Sequence, residues 1–366
     1  MTNNGERPPS GGVGRRLFLA SASAVTSAVL LPGAVAQAKT RGTAPRTLRF
    51  SDHEPLGGMR TRFLNDVVFP AIEKESKGRL KIEAHWSSEL AISYDALRAV
   101  GDGVVTDLAT VVPEYAPEQL PLQQIFKGFP VGPAGSRQVD FFRRAYADVP
   151  ALTSELETSN TVPLFFGTGY PLAFYGTAPL PDVDAVRGGR WRTASFWHQD
   201  FLANAGATPV TLPWGPGIFD ALESGELDGL VVNVDSGYML NAHEAAPHVL
   251  VSKDLWLGHV YVLAMNKGAW DELLPSDRLA IQRGTARAYR TLGPVMDRSF
   301  DTQLDHLRQA GANVRRLTAG EVKRWQTATQ YREVQESWVD EQRAKGIAEV
   351  DAVHRGITRI MNRTLP

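Results

Sequence analysis

Apolar and polar residues follow two periods along the chain, and the order of these periods predicts the fold class. Period-two alternation over 47–51 and 80–86 predicts two strands, and an apolar face over 63–72 predicts a helix between them. A second helix over 94–100 and a strand over 104–112 follow. This order is typical of an α/β domain with a largely parallel sheet, in which ligands bind beyond the carboxyl ends of the strands.

Shorter elements of the same kind are predicted through the rest of the chain. The strands are predicted at 163–166, 190–193, 206–212, 227–234 and 261–265, and the helices at 200–204, 218–223 and 238–246. A long helix is predicted to begin at Ser276, a residue suited to the N-cap, and to reach Leu307 with a kink at Pro294. Charged amphipathic helices are predicted over 318–365.

The composition narrows the classes of function. With 366 residues two domains are expected, and a formal net charge of -1 gives no support for a nucleic-acid partner. The chain has no cysteine, which excludes disulfide frameworks, thiolate metal sites and cysteine nucleophiles. A chain without thiols suits an oxidising compartment outside the cytoplasm.

The N-terminus has the features of a secretory signal. Arg15 and Arg16 precede an apolar, serine-rich stretch that ends near Pro32, and small residues over 34–38 suit cleavage. The adjacent arginines predict a signal peptide of the twin-arginine type over 1–38. A membrane anchor is the alternative, but the stretch is short for a full span and is interrupted by proline. We therefore predict a periplasmic or otherwise extracytoplasmic protein.

Six segments together resemble the substrate-binding subunits of TRAP (tripartite ATP-independent periplasmic) transporters, a dicarboxylate-binding-protein-like family. The segments are GRLKIE at 78–83, GVVTDL at 103–108, RGGRWRT at 187–193, GATPVTLPW at 206–214, FDALESGELDG at 219–229 and NKGAWDELL at 266–274. Their order and spacing across most of 45–325 carry the resemblance.

The resemblance implies an α/β, two-lobed periplasmic binding protein fold, type II-like, with a hinge and a long helix that spans both lobes. Lobe I is expected over 45–168 plus about 258–300, and lobe II over about 169–257 plus about 301–366. The implied function is an extracytoplasmic receptor that binds a small organic acid in the cleft between the lobes. It delivers this acid to the integral membrane subunits of a TRAP transporter, with no catalytic residue and no cofactor, and no motif indicates a metal.

Two residues match family positions that contact the substrate. Arg192 matches the arginine that pairs with the substrate carboxylate, and its planar guanidinium offers two parallel donors of suitable geometry. An ion pair with a protein carboxylate at the strand end is the alternative for Arg192. Trp214 matches the aromatic wall of the pocket, and a core tryptophan is the alternative there.

Further candidates lie near predicted strand ends. Asn233 is displaced by one position from the family's polar contact. The other candidates for substrate binding are His53, Glu54, Trp86, Glu114 and Tyr170. Many relatives carry a second arginine where this chain has Gly169-Tyr170-Pro171, so a second carboxylate would lack its basic anchor. We therefore predict a monocarboxylate. Four tryptophans favour an aromatic or apolar acid: Trp86, Trp191, Trp197 and Trp214.

Other functions find less support in the sequence. His243 and His248 are five residues apart with Pro247 between them, whereas a zincin helix needs two histidines four apart. The segment 167–169 lacks the third glycine of a dinucleotide-binding turn, and the sequence has neither a phosphate-binding loop nor a nucleophile elbow. An exported enzyme and an ABC-type solute-binding protein remain as alternatives.

Overall fold

The computed structural model describes residues 45–212 and 215–365, and the strands of this part of the chain form two sheets. The strands are Arg46–Ser51 (β1), Leu80–His85 (β2), Leu108–Val111 (β3), Thr161–Thr168 (β4), Leu172–Gly176 (β5), Arg190–Arg192 (β6), Thr208–Val210 (β7), Gly229–Asn233 (β8), His248–Val251 (β9), Val260–Asn266 (β10) and Asn313–Arg316 (β11). The predicted signal peptide over 1–38 lies outside the described residues.

Helices surround both sheets. The α-helices are Met59–Phe63 (α1), Phe69–Glu75 (α2), Ala96–Asp102 (α3), Gly135–Asp148 (α4), Pro150–Thr158 (α5), Phe196–Asn204 (α6), Gly217–Glu223 (α7), Val234–Met239 (α8), Ala242–Ala245 (α9), Lys267–Asp271 (α10), Pro275–Gln309 (α11), Ala319–Ala328 (α12), Tyr331–Ala344 (α13) and Val350–Thr364 (α14). A π-helical turn, Leu64–Val68, joins α1 to α2, and 3₁₀ turns lie at Ser93–Asp95, Pro113–Tyr115, Leu122–Lys127 and Val183–Val186.

The first sheet has the strand order β2-β1-β3-β10-β4. Its first three strands are parallel, while β10 pairs antiparallel with both β3 and β4. Leu48 and Phe50 of β1 point into a core that also contains Ile72 of α2 and Met265 of β10. This sheet is therefore completed by a strand that returns from much later in the chain.

The second sheet has the strand order β11-β9-β5-β8-β6-β7. Strand β6 lies between β7 and β8 and is parallel to both, whereas β5 is antiparallel to its two neighbours. Trp191 of β6 lies flat over Gly229 of β8, where an added Cβ would be 2.4 Å from its ring. This close approach requires glycine at 229, and it helps to fix the position of β6 in the sheet.

Helix α11 connects the two halves of the fold. Ile281, Leu292 and Met296 on its N-terminal part belong to the core of the first sheet. Phe300 and Leu304 on its C-terminal part belong to the core of the second sheet. The predicted long helix that spans both lobes is thus present, and the helix continues through Pro294.

The last three helices fold back across the molecule. Val353, Ile357 and Ile360 of α14 are buried in a hydrophobic cluster that also contains Phe141 of α4 and Trp191 of β6. This one hydrophobic cluster therefore contains residues from both predicted lobes. Because the cluster does not separate them, the residue boundaries of the two lobes remain a prediction. Among the described residues, no helix combines the length and the apolar character needed to cross a membrane.

One local prediction is wrong, and three strands were missed. Ser276 is not the N-cap of α11, because the helix begins at Pro275 after Leu274, with Pro275 in the first turn where its missing N–H costs nothing. Strands β5, β9 and β11 were not predicted. Strand β5 is buried at every position, so its sequence shows no alternation.

Candidate ligand-binding site

A buried arginine lies at the carboxyl end of β6. Arg192 is 1% exposed, and its Nε and Nη2 both donate to the carbonyl oxygen of Leu212, at 3.1 and 2.7 Å. Two residues earlier, Arg190 is at the surface and pairs with Asp228 at 3.1 Å. The two arginines of this short strand therefore have different environments, and the inner one has a carbonyl group as its acceptor.

The Arg192 guanidinium belongs to no ion pair among residues 45–212 and 215–365. Burial lowers its pKa, and the nearby Glu114, Tyr115 and Tyr94 act in the opposite direction. Because an arginine keeps its proton in proteins, it cannot relieve this burial by becoming neutral. A buried cation of this kind is well suited to receive an anionic group.

Two tyrosines lie near Arg192. Tyr115 ends the 3₁₀ turn that follows β3, and its ring centroid is 4.8 Å from that of Tyr94 and 5.9 Å from that of His53. Tyr94 is 69% exposed, whereas Tyr115 is half-buried. The two rings provide an amphipathic surface that can contact an apolar ligand body and donate hydrogen bonds.

Glu114 is paired with two basic side chains. Its Oε2 is 2.7 Å from Lys127 Nζ and 2.9 Å from His259 Nε2. Burial acts to raise the pKa of Glu114, but Lys127 and His259 hold that pKa well below its ordinary value. The carboxylate is therefore ionised and already bound, and its contribution is to fix the turn that carries Tyr115.

An acidic cluster follows β1. The guanidinium of Arg60 lies between two carboxylates, with Nη1 2.6 Å from Asp52 Oδ2 and Nη2 2.8 Å from Glu54 Oε2. The same guanidinium lies over the ring of Tyr261, 4.3 Å from its centroid. The ring nitrogens of His53 are 3.7 Å from Asp52 and 3.9 Å from Glu54, and burial lowers the pKa of His53. With a neutral His53, the cluster carries one excess negative charge.

The second sheet contributes polar groups from the end of β8. Asn233 Nδ2 donates to the carbonyl oxygen of Tyr170, whose hydroxyl contacts Ser299 Oγ of α11. Two residues later, Asp235 Oδ1 is buried and has no hydrogen-bond partner among the described residues. Burial raises the pKa of Asp235 to about 7, and the charge of Glu54 raises it as well.

Gly169, between β4 and β5, marks where the polar groups of the two sheets approach each other. A Cβ at this position would lie 3.0 Å from the Cβ of His259, 3.4 Å from Asn233 Nδ2 and 3.5 Å from the ring of Tyr261. His259 directly precedes β10 of the first sheet, and Tyr261 lies within that strand. Asn233 is the last residue of β8 in the second sheet. The candidate site is therefore the region between the two sheets.

A comparison of the sequence with known protein families identifies the family of this chain. The DctP profile, which describes bacterial extracellular solute-binding protein family 7, matches residues 70–338. The chain belongs to this family. The resemblance to TRAP substrate-binding subunits is confirmed, as is the prediction of a solute receptor, and the enzyme alternative is not favoured. A location outside the cytoplasm is that of the family. A comparison with curated protein sequences gave no match.

Solved structures share the fold of this family 7 protein. A TRAP periplasmic solute-binding protein from Desulfovibrio salexigens matches with a TM-score of 0.73 at 20% identity, covering 87% of this chain and 97% of its own. A marine metagenome TRAP protein specific for aromatic acid ligands, solved with 3-hydroxybenzoate, gives 0.73 at 19%, covering 88% and 100%. One from Rhodoferax ferrireducens, solved with benzoate, gives 0.73 at 20%, covering 87% and 98%. The predicted two-lobed α/β fold is confirmed.

The structure places the predicted site residues of this family 7 protein in different surroundings. His53 and Glu54 lie with Tyr115 on the first sheet, and Tyr170 and Asn233 lie together on the second. Trp86 packs against Phe50, 5.3 Å between ring centroids, in the core of the first sheet. Trp214 lies outside the described residues. For each of these positions, contact with a ligand remains a prediction.

Two of the tryptophans that favoured an aromatic ligand lie in the core. Trp191 and Trp197 are 1% and 0% exposed. The candidates from sequence analysis did not include the tyrosines at 94 and 115 or the charged residues Arg60, Lys127 and Asp235. Their positions after predicted strand ends were a usable signal for Tyr115 and Asp235. Nothing in the sequence indicated which charges pair.

Proposed function

We propose that this family 7 protein is an extracytoplasmic receptor whose ligand is a small organic monocarboxylate, bound through Arg192 and delivered to a TRAP-type membrane transporter. The observation that carries the proposal is the buried guanidinium of Arg192, which has a carbonyl acceptor and no ion-pair partner among the described residues. A carboxylate would supply the missing negative charge and accept two parallel hydrogen bonds.

The other buried cations near the site support a single carboxylate. Arg60 already has Asp52 and Glu54 as partners, and Lys127 already has Glu114. The position of the second family arginine is occupied by Gly169-Tyr170-Pro171, and Tyr170 uses its hydroxyl on α11. A second carboxylate on the ligand would therefore lose its hydration without gaining a cation, which is costly.

An aromatic or apolar body for the ligand has two supports. Tyr94 and Tyr115 form an amphipathic surface near Arg192, and aromatic side chains favour contact with apolar or aromatic groups. Two of the solved relatives are described as complexes with 3-hydroxybenzoate and benzoate, which are aromatic monocarboxylates. The hinge and the two lobes would allow closure over such a ligand, as in other two-lobed receptors.

The proposal includes the route of export. Arg15 and Arg16 before an apolar stretch favour the twin-arginine pathway, followed by removal of about 1–38. The protein would then act without a cofactor and without catalytic chemistry. Export of a reporter fused to residues 1–45 tests this step, because replacement of both arginines by lysine should abolish export by the twin-arginine route alone.

Thermal-shift and calorimetric titration of the processed protein with a panel of monocarboxylates tests the ligand class. A ligand that binds only the folded state raises stability by about 2.7 kcal/mol at one hundred times its Kd. Arg192→Ala should abolish the shift, and Arg192→Lys should weaken binding, because lysine lacks the planar pair of donors.

Arg190→Lys is the matched control, since Arg190 lies on the same strand at the surface. Retained affinity in Arg192→Ala would remove Arg192 from the site. Absence of any shift with monocarboxylates, together with a clear shift for a dicarboxylate, would overturn the ligand class.

A further inference from the structure

We propose that the amino end of α6 is the second half of the carboxylate site, where Ser195 Oγ and the first backbone N–H groups of the helix bind the same ligand carboxylate as Arg192. The inference rests on the proposed function and deepens it, because it takes a monocarboxylate to be the ligand. It gives a binding role to Ser195, a residue that is neither charged nor aromatic. It also requires the ligand to be an ionised acid and not its neutral amide.

Helix α6 begins directly after the strand that carries Arg192. Arg192 is the last residue of β6, Ser195 is the N-cap, and Phe196 is the first residue of α6. An α-helix leaves its first N–H groups without partners inside the helix, and these groups give its amino end a partial positive charge. With nine residues, α6 has two full turns behind that end. The chain therefore brings a helix amino end close to the buried guanidinium.

The chain that follows β7 contacts both groups. The carbonyl oxygen of Leu212 accepts from Arg192 Nε at 3.1 Å and from Nη2 at 2.7 Å. Thr211 Oγ1 accepts from Gln199 Nε2 of α6 at 2.9 Å. Because Thr211 and Leu212 are consecutive, the guanidinium and the first turns of α6 lie beside the same short stretch of chain.

Ser195 has the residue type and the position of a helix cap, but it makes no capping bond. It is 4% exposed, its side chain accepts nothing from the first turn, and its Oγ is buried without a partner among the described residues. The backbone N–H groups of Phe196 and Trp197 have no acceptor in that part of the chain either. Buried hydroxyl groups nearly always have a hydrogen-bond partner, because an unmade bond is costly. The free hydroxyl of Ser195 is therefore the observation that points to a ligand.

The residues on either side of Ser195 reach solvent. Ala194 is exposed, and Phe196 is 45% exposed. The ring of Phe196 stacks on Trp197 with 5.2 Å between centroids, and Trp197 packs over Gly128, where an added Cβ would be 2.8 Å from its ring. Packing thus fixes the amino end of α6 from the inside, while its outer side chains remain open to a ligand.

A ligand carboxylate at this place would satisfy several donors at once. Each carboxylate oxygen accepts more than one hydrogen bond, so one carboxylate can bind the guanidinium of Arg192, the hydroxyl of Ser195 and the free N–H groups together. The carboxylate would take over the donors that Arg192 now directs at the carbonyl of Leu212. The positive end of α6 adds to the charge of Arg192, and both favour an anion. A neutral amide would lack that charge.

The test is calorimetric titration of the processed protein with benzoate and hexanoate, which share only their carboxylate, and with benzamide as the neutral analogue of benzoate. Benzamide should bind about tenfold or more weakly than benzoate. Ser195→Ala should weaken benzoate and hexanoate by a similar factor of about tenfold, because it removes one charge-assisted hydrogen bond. Ser195→Asp keeps a favourable N-cap residue but places an acid where the carboxylate binds, so it should abolish the binding of both acids.

Stability without ligand separates a binding serine from a capping serine. Ser195→Ala should not lower the melting temperature by more than about 2 °C, because no capping bond is lost. Thr318→Ala is the matched control, since Thr318 Oγ1 accepts from the backbone N–H of Glu321 at 3.3 Å in a complete capping box on α12. This control should lower the melting temperature by about 2–4 °C and leave the affinity for benzoate within about threefold.

The outcomes separate this inference from the proposed function. Unchanged affinity in Ser195→Ala, binding that survives Ser195→Asp, or a loss confined to one of the two acids would contradict the role of α6 and leave a receptor that binds through Arg192. A fall in melting temperature in Ser195→Ala as large as that in Thr318→Ala would make Ser195 a structural cap and would also overturn the inference. Failure of every monocarboxylate to bind, or equal binding of benzamide and benzoate, would overturn the proposed function as well.

Discussion

Two buried arginines of this protein, Arg60 and Arg192, differ in their partners. Arg60 has two carboxylates at 2.6 and 2.8 Å and the ring of Tyr261 beneath it. Arg192 has one carbonyl oxygen and no ion pair among the described residues. Both are below 10% exposed, at 7% and 1%. Burial alone therefore does not distinguish these two arginines, whereas ion-pair contact with protein carboxylates does.

The largest effect that we expect from the difference between Arg60 and Arg192 is on the stability of the folded protein. Arg60→Met leaves Asp52 and Glu54 buried or half-buried without their guanidinium, and removing one partner of such a network costs about 3–5 kcal/mol. Arg192→Met removes a buried charge that has no acidic partner, so ligand-free stability should fall by less than about 1 kcal/mol or rise. Urea unfolding of both variants without ligand measures the difference.

An equal loss of stability in the two variants would show that Arg192 also has a structural role. Arg60→Lys is the control for the first variant, because it keeps the charge and loses the fork of donors.

Glu155, a buried acid, extends the comparison of the two arginines to a side chain that can lose its charge. Glu155 Oε1 accepts from the backbone N–H of Leu122, but Oε2 is buried without a partner among the described residues. Burial raises the pKa of Glu155 to about 7 from 4.5. Unlike an arginine, this acid can lose its charge, so its stabilising effect is full below pH 4.5 and declines as the pH rises through about 7.

Glu155→Gln should therefore flatten the stability profile between pH 4.5 and 8 and should raise the free energy of unfolding at pH 8 by about 1–3 kcal/mol. Thermal unfolding across this pH range is the measurement. A variant that is less stable than the wild type at pH 8 would show that the ionised carboxylate is needed at the start of the 3₁₀ turn.

The smallest effect is expected at the surface. Arg190 and Asp228 are 46% and 44% exposed in their side chains, and solvent screens such pairs strongly. Arg190→Ala should leave the unfolding midpoint and the ligand affinity close to those of the wild type, as measured in the assays above. A marked loss of affinity would mean that the β6 edge, and not Arg192 alone, controls the site.

Much of the fold was predictable because its signals are local. Strands β1 and β2 alternate in sequence, and α11 carries an apolar stripe, so their positions follow from periodicity. Strand β5 does not alternate, since it is buried on both faces, and β9 and β11 are four residues long. Their place in the sheet depends on partners far away in the chain.

The candidate site was predictable to the extent that it depends on residue type. An arginine between Trp191 and Thr193 in a predicted strand indicated an unusual buried charge, and the family resemblance gave it a role. The pairing of Glu114 with Lys127 and His259 has no sequence signature, because these residues are 13 or more positions apart and meet only in the folded chain. Which acids remain unpaired is therefore a property of the structure.

Helix α11 also limits how this sequence can change over evolution. Its 35 residues bury side chains in the core of the first sheet as far as Met296 and in the core of the second sheet from Phe300 onward. Each residue added or removed turns the rest of an α-helix by about 100°. A single insertion between Met296 and Phe300 would therefore turn Phe300, Leu304 and Leu307 away from their core. Substitutions can accumulate along this helix, but its length has to be inherited unchanged.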